Sequence, residues 1–430
     1  MVLAGLKSGF RWLRAARTDV FYGWRVVVGA FVLAVFGWGI GFYGMPVYLQ
    51  AIHHDKGWSV GLVSAALTTH FVFGAVVVAN LPALYAHFGV PNVTKAGAFL
   101  LAVGICAWAS TTAPWQLFIA TLLSGAGWAA MGAAAVNTIV SPWFARSRPA
   151  ALSMAYNGAS LGGIVFSPLW VAAISTLGFP IAATAIGTVA IFTMWALADL
   201  VFSRTPEGMG LEPDGDALGI LATSITASAA QRRVKLLLWR DLRFLTLAGG
   251  MACGLFAQIG LIAHLYSLMV PALGPQQAGL AMGLATASAV AGRTLVGWLM
   301  PANADRRLVA CASYAVQIAG SLVFILAAGT SVPLLLMGVL LFGSGIGNAT
   351  SLPPLIAQVE FLRNDVPRVV ALTVAVAQGA YSFAPGVFGL IREFAADAPS
   401  MGAGAAPVVF IAAAGAQGLA ICALLIGRKR

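Results

Sequence analysis

One arginine in an apolar segment is the residue of this chain whose chemistry most needs a partner. Arg293 lies in the run ASAVAGRTLVGWLM, residues 287–300, about 17 residues into a predicted span of about 24. A charge at such depth normally faces a cavity, a partner or a substrate. A guanidinium fits a carboxylate through two parallel hydrogen bonds, and the central part of every predicted span lacks acidic residues. The pattern predicts an anion-binding site; a side chain that snorkels to the membrane surface is the alternative.

A histidine near the middle of the second predicted span is the other group with reactive potential. Because the unperturbed pKa of a histidine side chain lies near physiological pH, His70 is our candidate for proton coupling. A neutral, hydrogen-bonded core histidine is the alternative. The sequence has no Cys/His cluster, no G-x-x-x-x-G-K-[ST] motif and no paired catalytic carboxylates. We therefore expect no metal, no cofactor and no enzymatic activity.

The composition indicates the solvent in which these residues lie. The chain has 430 residues, of which 60% are hydrophobic and 9% charged, and its mean hydropathy is +0.91. A soluble domain is about one quarter charged, so this chain must hide its apolar surface in lipid. The sequence predicts an all-α, polytopic membrane protein that contacts the bilayer. Its net charge of +11 fits membrane topology better than nucleic-acid binding, because the chain has no soluble basic domain.

Hydrophobic runs of about 20 residues predict twelve transmembrane helices. The predicted spans are 24–50, 59–86, 94–112, 115–140, 150–176, 180–202, 244–270, 277–300, 308–328, 332–355, 368–391 and 406–427.

Weak internal similarity predicts that these spans form two pseudo-symmetric six-helix bundles. LLSGAG at 122–127 matches LLFGSG at 340–345, and other pairs share the offset of 218 residues. Parallel repeats of this kind place a transporter's substrate site between the halves. The predicted domains, in chain order, are an amphipathic cytoplasmic segment (1–20), an N-terminal bundle (21–203), a central cytoplasmic loop (204–243) and a C-terminal bundle (244–430).

Lysine and arginine positions predict the orientation. With both termini in the cytoplasm, all of these residues except Lys56, Arg392 and Arg293 fall on cytoplasmic segments or their borders. We expect a multi-pass monomer in the cell inner (plasma) membrane.

Four motifs resemble one transporter family over nearly the whole chain. They are FYGWRVVVGAF (21–31), WFARSRPAALSMAYNGASLGG (143–163), RTPEGMGLEPDGD (204–216) and AGRTLVGWL (291–299). Together they look like the monocarboxylate transporters of the major facilitator superfamily and their bacterial relatives, which include oxalate/formate antiporters. The resemblance implies the major facilitator fold, and it gives Arg293 the position of the family's substrate-binding arginine.

The resemblance also implies which other polar residues border the cavity. His264 and Tyr266 lie on the seventh helix, which lines the cavity in this superfamily; His264 could instead anchor at the interface. Asn157 and Gln378 lie on the fifth and eleventh helices. Each could donate a hydrogen bond to substrate or could form a hydrogen bond to a neighbouring helix. Asn348, on the tenth helix, is a further candidate for substrate contact.

Several positions depart from the family pattern. Ala86 and His87 stand where an Asp and an Arg are usual between spans two and three, and Pro301 replaces an acidic residue after span eight. Ala289, one turn before Arg293, replaces an acid found in proton-coupled members, and Phe42 replaces a lysine of many animal members. These departures weaken a simple transfer of proton/lactate symport.

The sequence therefore predicts a secondary active transporter of small organic anions, with monocarboxylates as the expected class. It would work by alternating access as a symporter or an anion exchanger, with a proton or a counter-anion as the coupled species. The alternative is an exporter of amphiphilic or drug-like compounds. A non-transporting membrane sensor is the weakest alternative, because the predicted loops are too short to hold a signalling domain.

Overall fold

The computed structural model describes residues 21–215, 238–301, 303–362, 364–396 and 406–428. The predicted amphipathic segment 1–20 and most of the predicted central loop lie outside the described residues.

The described chain is helical, with fourteen α-helices and no strand within the described ranges. In chain order, α1–α7 are Tyr22–Gly41, Met45–Lys56, Val60–Ser110, Pro114–Ala129, Ala133–Val140, Arg148–Leu177 and Phe179–Leu197. The second series, α8–α14, is Leu242–Leu273, Pro275–Leu299, Arg306–Ala327, Val332–Glu360, Val366–Tyr381, Ala384–Ala396 and Ala406–Ile426.

These helices form eleven stretches that are long and apolar enough to cross a membrane, where the sequence predicted twelve. The second and third predicted spans lie in one stretch, α3, which has 51 residues. A straight helix of that length would measure about 77 Å, more than twice the hydrocarbon core of a bilayer. Gly89 breaks it with φ 76° and ψ 159°, a conformation that favours glycine.

The helices before residue 203 pack mainly on one another, and those after residue 238 do the same. Glycines let the backbones approach closely within each half: a Cβ at Gly125 would meet the backbone of His70, and one at Gly292 would meet Ser344. Small residues of the fourth and tenth predicted spans thus pack against neighbouring helices.

The molecule has two faces, which we name by the helix ends that form them. The near face contains Tyr22, Gly89 and Ile426; the far face contains Gly57 and Gly274. The order of the helices and the contacts between α6 and α9 place these ends on opposite sides.

A buried ion pair joins four helices at the near face of the C-terminal half. The guanidinium of Arg307, on α10, donates from Nε and Nη2 to the two carboxylate oxygens of Glu360, on α11, at 2.6 and 2.8 Å. Its Nη1 donates to Thr246 Oγ1 on α8 and to the Leu424 carbonyl on α14, both at 3.1 Å. Only 1% of the Arg307 surface is exposed, so its charge is matched inside the protein.

A carboxylate from the central loop caps α6 at the same face. Asp214 accepts hydrogen bonds from the backbone amides of Ala145, Arg146 and Ser147 at 3.0, 2.7 and 3.1 Å. Partial burial raises the pKa of Asp214, but these hydrogen bonds outweigh burial and hold the pKa below its usual value. The first part of the loop, residues 204–215, is thereby fastened to the N-terminal half.

Candidate functional site

Interrupted helices shape the middle of the molecule. The first predicted span is divided into α1 and α2 by residues 42–44, and the eleventh into α12 and α13 by residues 382–383. A break leaves backbone carbonyls without partners from their own helix. Such irregular backbone occurs at membrane depth only where protein or an aqueous cavity surrounds it.

Arg293 and Asn157 meet across the two halves. Arg293 Nη2, on α9, donates to Asn157 Oδ1, on α6, at 3.3 Å. Arg293 is half-buried and Asn157 is exposed. Within the part of the chain that the structure describes, Arg293 forms no ion pair. The structure therefore brings together two of the predicted site residues, and it leaves the guanidinium without a carboxylate.

Tyr43 is a residue of this site that sequence reasoning missed. It lies in the break between α1 and α2, beside the Thr286 side chain and near enough to Arg293 to interact electrostatically. A Cβ added at Gly163 would lie 2.7 Å from both Tyr43 and Thr286, so three helical segments meet there. The signal was available in the helix-breaking pattern around Tyr43, Gly41-x-x-Gly-x-Pro46.

His70 is fully buried among four segments of the N-terminal half. Its Nε2 lies 3.1 Å from the Gly41 carbonyl at the end of α1, and its Nδ1 lies 2.9 Å from Ser124 Oγ. The Trp108 indole donates to the same hydroxyl at 3.2 Å. A neutral imidazole with its proton on Nε2 satisfies all of these bonds. The geometry fits the structural alternative, while the role in proton coupling stays a prediction.

His264 and Tyr266 lie apart from the Arg293–Asn157 pair. His264 Nε2 is 3.1 Å from the Pro385 carbonyl, so this side chain joins α8 to α13. The histidine is fully buried, and its Nδ1 has no hydrogen-bond partner among the described residues. Tyr266 is 4% exposed within the apolar core. Among the described residues, neither forms a hydrogen bond with Arg293, and a substrate role for either stays a prediction.

Gln378 and Asn348 occupy different surroundings. Gln378 is half-buried on α12, one turn before the break that separates α12 from α13. Asn348 is buried on α11 and lines a small cavity inside the C-terminal half with Ser313 and Tyr314. Its Nδ2 donates to the Ser344 carbonyl at 3.4 Å, and no described residue donates a hydrogen bond to its Oδ1. Asn348 thus faces the interior of one half.

The seam between the halves is closed toward the far face. Along α6 and α9 it runs from Gly279, packed on Val171, through Gly283, packed on Ile164, to Arg293 and Asn157. Farther toward the near face, Met154 of α6 and Trp298 of α9 are 50% and 84% exposed. The polar pair therefore lies where the packed seam ends on its near-face side.

Eleven apolar helical stretches in two packed halves, with a polar pair between them, are typical of a multi-pass membrane protein. Residues 27–388 match the model of the Major Facilitator Superfamily, and the chain belongs to that family. The chain therefore belongs to a family of membrane transporters and not of enzymes.

Solved structures with the same fold include two transporters. The chain is similar to the nucleoside transporter NupG, with a TM-score of 0.72 and 12% identity over 94% of this chain and 100% of that chain. It is also similar to a D-xylose-proton symporter, with a TM-score of 0.68 and 12% identity over 95% and 97% of the two chains. Identities this low show the fold alone.

Curated relatives match over less than half of their own length. "MFS-type transporter 1" of Ophiocordyceps sp. (strain BCC 1869) is 30% identical over 193 residues, which are 43% of this chain and 42% of the relative. "MFS transporter asaE" of Aspergillus flavus is 27% identical over 201 residues, 45% of this chain and 44% of the relative. Membership of the narrower monocarboxylate family is thus left as an expectation.

Proposed function

We propose that this protein is a secondary active transporter of small organic anions, with monocarboxylates as the main class. The observation that carries the proposal is Arg293, a half-buried guanidinium between the halves that forms no ion pair with any described residue. A carboxylate would give it two charge-assisted hydrogen bonds. The single hydrogen bond that Arg293 donates to the amide oxygen of Asn157 is a weak substitute that an anion can displace.

Further residues complete the proposed site. Tyr43 and Thr286 would donate hydroxyl hydrogen bonds to an anion held by Arg293, and Asn157 would offer its amide nitrogen once its oxygen is displaced. Gln378 would approach through rearrangement at the break that follows it. His264, Tyr266 and Asn348 are then proposed to contact substrate only in a state in which the helices around them have moved.

Transport would follow from rocking of the halves bounded at 21–203 and 244–430. The seam is packed toward the far face and ends at Arg293, which corresponds to one of the two states that alternating access requires. We propose that the near face is cytoplasmic, as the lysine and arginine positions suggest, and that the membrane is the cell inner membrane. Coupling to a proton or to a counter-anion is compatible with this scheme.

The test is uptake of labelled monocarboxylates into proteoliposomes. We expect Arg293→Gln to reduce uptake about 10–100-fold, since loss of a charged hydrogen bond costs about 1.5–3 kcal/mol. Arg293→Lys should retain part of the activity, because lysine keeps the positive charge but lacks the planar guanidinium that binds a carboxylate through two hydrogen bonds. Lys56→Gln, which removes an exposed cation at the far face, is the matched control and should transport normally. Wild-type uptake by the Gln variant would refute the assignment.

A second candidate, export of amphiphilic compounds, is favoured by aromatic rings that meet between the halves. The Phe71 ring packs against Trp128 at 5.4 Å, Phe42 at 6.0 Å and, across the halves, Tyr381 at 6.3 Å between centroids. Such rings suit the apolar body of a larger substrate. Competition of carboxylate uptake by neutral hydrophobic compounds, with no competition among carboxylates themselves, would favour this candidate.

A further inference from the structure

We infer that Glu393 is a latch that holds the far face closed by capping a helix of the opposite half. Glu393 lies near the end of α13, in the C-terminal half, and is half-buried. Its Oε2 accepts a hydrogen bond at 3.3 Å from Ser59 Oγ, which precedes α3 in the N-terminal half. The carboxylate thus joins the two halves at the face where the seam is packed.

The chemistry of the α3 N-terminus explains why an anion belongs there. The first amides of a helix have no intrahelical partners and carry a partial positive charge. Ser59 Oγ accepts a hydrogen bond from one of these amides, that of Leu62, at 3.2 Å. The first turn of α3 has no acidic residue of its own. Glu393 supplies the missing negative charge from the other half of the molecule.

Gly61 makes this approach possible. The Glu393 carboxylate lies directly on Gly61, and a Cβ added there would overlap Oε2. Any other residue at this position would push the carboxylate away from the helix end. The glycine is in ordinary helical conformation, so its role here is to leave space and not to permit an unusual backbone angle.

The neighbouring cation does not compete for the carboxylate. Arg392 Nη1 donates to Ser267 Oγ on α8 at 2.5 Å and is turned into the C-terminal half. Glu393 forms no ion pair with a described residue. Its negative charge is therefore available to the α3 N-terminus.

The rest of the contact between α3 and α13 has few polar interactions among the described residues. Farther along α3, Thr68 Oγ1 accepts a hydrogen bond from the Gly386 amide of α13 at 2.8 Å. Ser64 packs on Gly389, and its hydroxyl has no hydrogen-bond partner among the described residues. Small residues at this contact let α3 and α13 approach closely without adding charged interactions. The latch thus adds a charged contact at the rim, and opening of the far face must break it.

The test measures exposure of the seam without substrate, so its outcome is independent of the proposed transport function. Ser64→Cys is introduced after the four native cysteines are replaced by alanine, and its reaction with a maleimide is followed in nanodiscs. Ser64 is fully buried in the seam, so its labelling reports opening. We expect Glu393→Ala and Gly61→Ala to speed labelling about 2–5-fold, the effect of a charge at a helix end. Glu393→Gln, which keeps the acceptor and loses the charge, should fall between.

Two controls decide the result. Asp55→Asn removes an exposed acid of the same face and should label at the parental rate. Ser321→Cys, fully buried inside the C-terminal half, should stay unlabelled in every variant. An unchanged Ser64→Cys rate in Glu393→Ala would overturn the latch. So would equal acceleration at Ser321→Cys, since that would indicate general loosening.

Discussion

Arg307 and Arg293 differ in the partners of their guanidinium groups, and this difference separates a structural role from a functional one. Arg307 has both carboxylate oxygens of Glu360, a hydroxyl and two backbone carbonyls around its guanidinium. Arg293 has one amide oxygen at 3.3 Å. A cation with unused donors in a partly buried site is prepared for an anionic ligand, whereas one with all donors occupied holds helices together.

Tyr43 gives a prediction at the level of one hydroxyl group. Tyr43→Phe keeps the ring and removes the oxygen next to Thr286, so we expect the KM for a transported carboxylate to rise about 3–10-fold with little change in kcat. A hydrogen bond worth about 0.5–1.5 kcal/mol sets that size. Initial uptake rates over a range of substrate concentrations measure both constants. As a control, Tyr85→Phe should leave KM and kcat unchanged, because the buried Tyr85 hydroxyl of α3 has no hydrogen-bond partner among the described residues. An unaltered KM in Tyr43→Phe would remove Tyr43 from the site.

The sequence predicted the site in part, for reasons that differ by residue. Arg293 stood out because charge is rare in an apolar run, and the structure places it beside the predicted Asn157. Tyr43 was missed because a tyrosine within an apolar segment carries no such contrast. The burial of Asn348 inside one half depends on helix rotation, which amide identity and spacing do not determine.

Among the elements, the near-face ends of the C-terminal helices depend on one carboxylate. Glu360→Gln would leave the Arg307 charge buried without its counterion, and breaking such a pair costs about 3–5 kcal/mol. We expect the thermal unfolding midpoint of the purified protein to fall by several degrees. Glu207→Gln, at an exposed position in the described part of the central loop, is the matched control and should unfold as the parent does. A parental midpoint for Glu360→Gln would show that the pair contributes no net stability.

Element positions were predicted well where the pattern is long and apolar, and less well at breaks. The predicted span 277–300 corresponds to Pro275–Leu299. The predicted span 24–50 is in fact two helices, because Gly44 and Pro46 interrupt it and the Gly41 carbonyl is satisfied by His70. That partner comes from another helix, so hydropathy along the chain has no means of revealing it.

For the whole molecule, alternating access predicts opposite movements at the two faces. Spin labels at Met154 and Trp298, exposed near-face positions on α6 and α9, should approach one another when the far face opens. Labels at Asp55 and Phe394, exposed at the far face in opposite halves, should separate by several ångströms in the same molecules. Pulsed electron–electron double resonance, with and without a saturating monocarboxylate, measures both distances.

Labels within one half provide the comparison. Asp55 and Leu177 both lie at the far face of the N-terminal half, and their separation should stay constant because that half moves as a unit. Changes at one face without the opposite change at the other would contradict rocking of two rigid halves.

The unneutralised charge of Arg293 has a consequence for the membrane potential. An elementary charge that crosses a potential of 100 mV changes its energy by about 2.3 kcal/mol. An empty site carries its positive charge through part of that field when it changes sides, whereas a site that holds a monovalent anion is electrically neutral. Voltage should therefore act on the return of the empty protein and hardly on the loaded step. A potential that is negative inside would hold the empty site toward the cytoplasm, which is the side we assign to the near face.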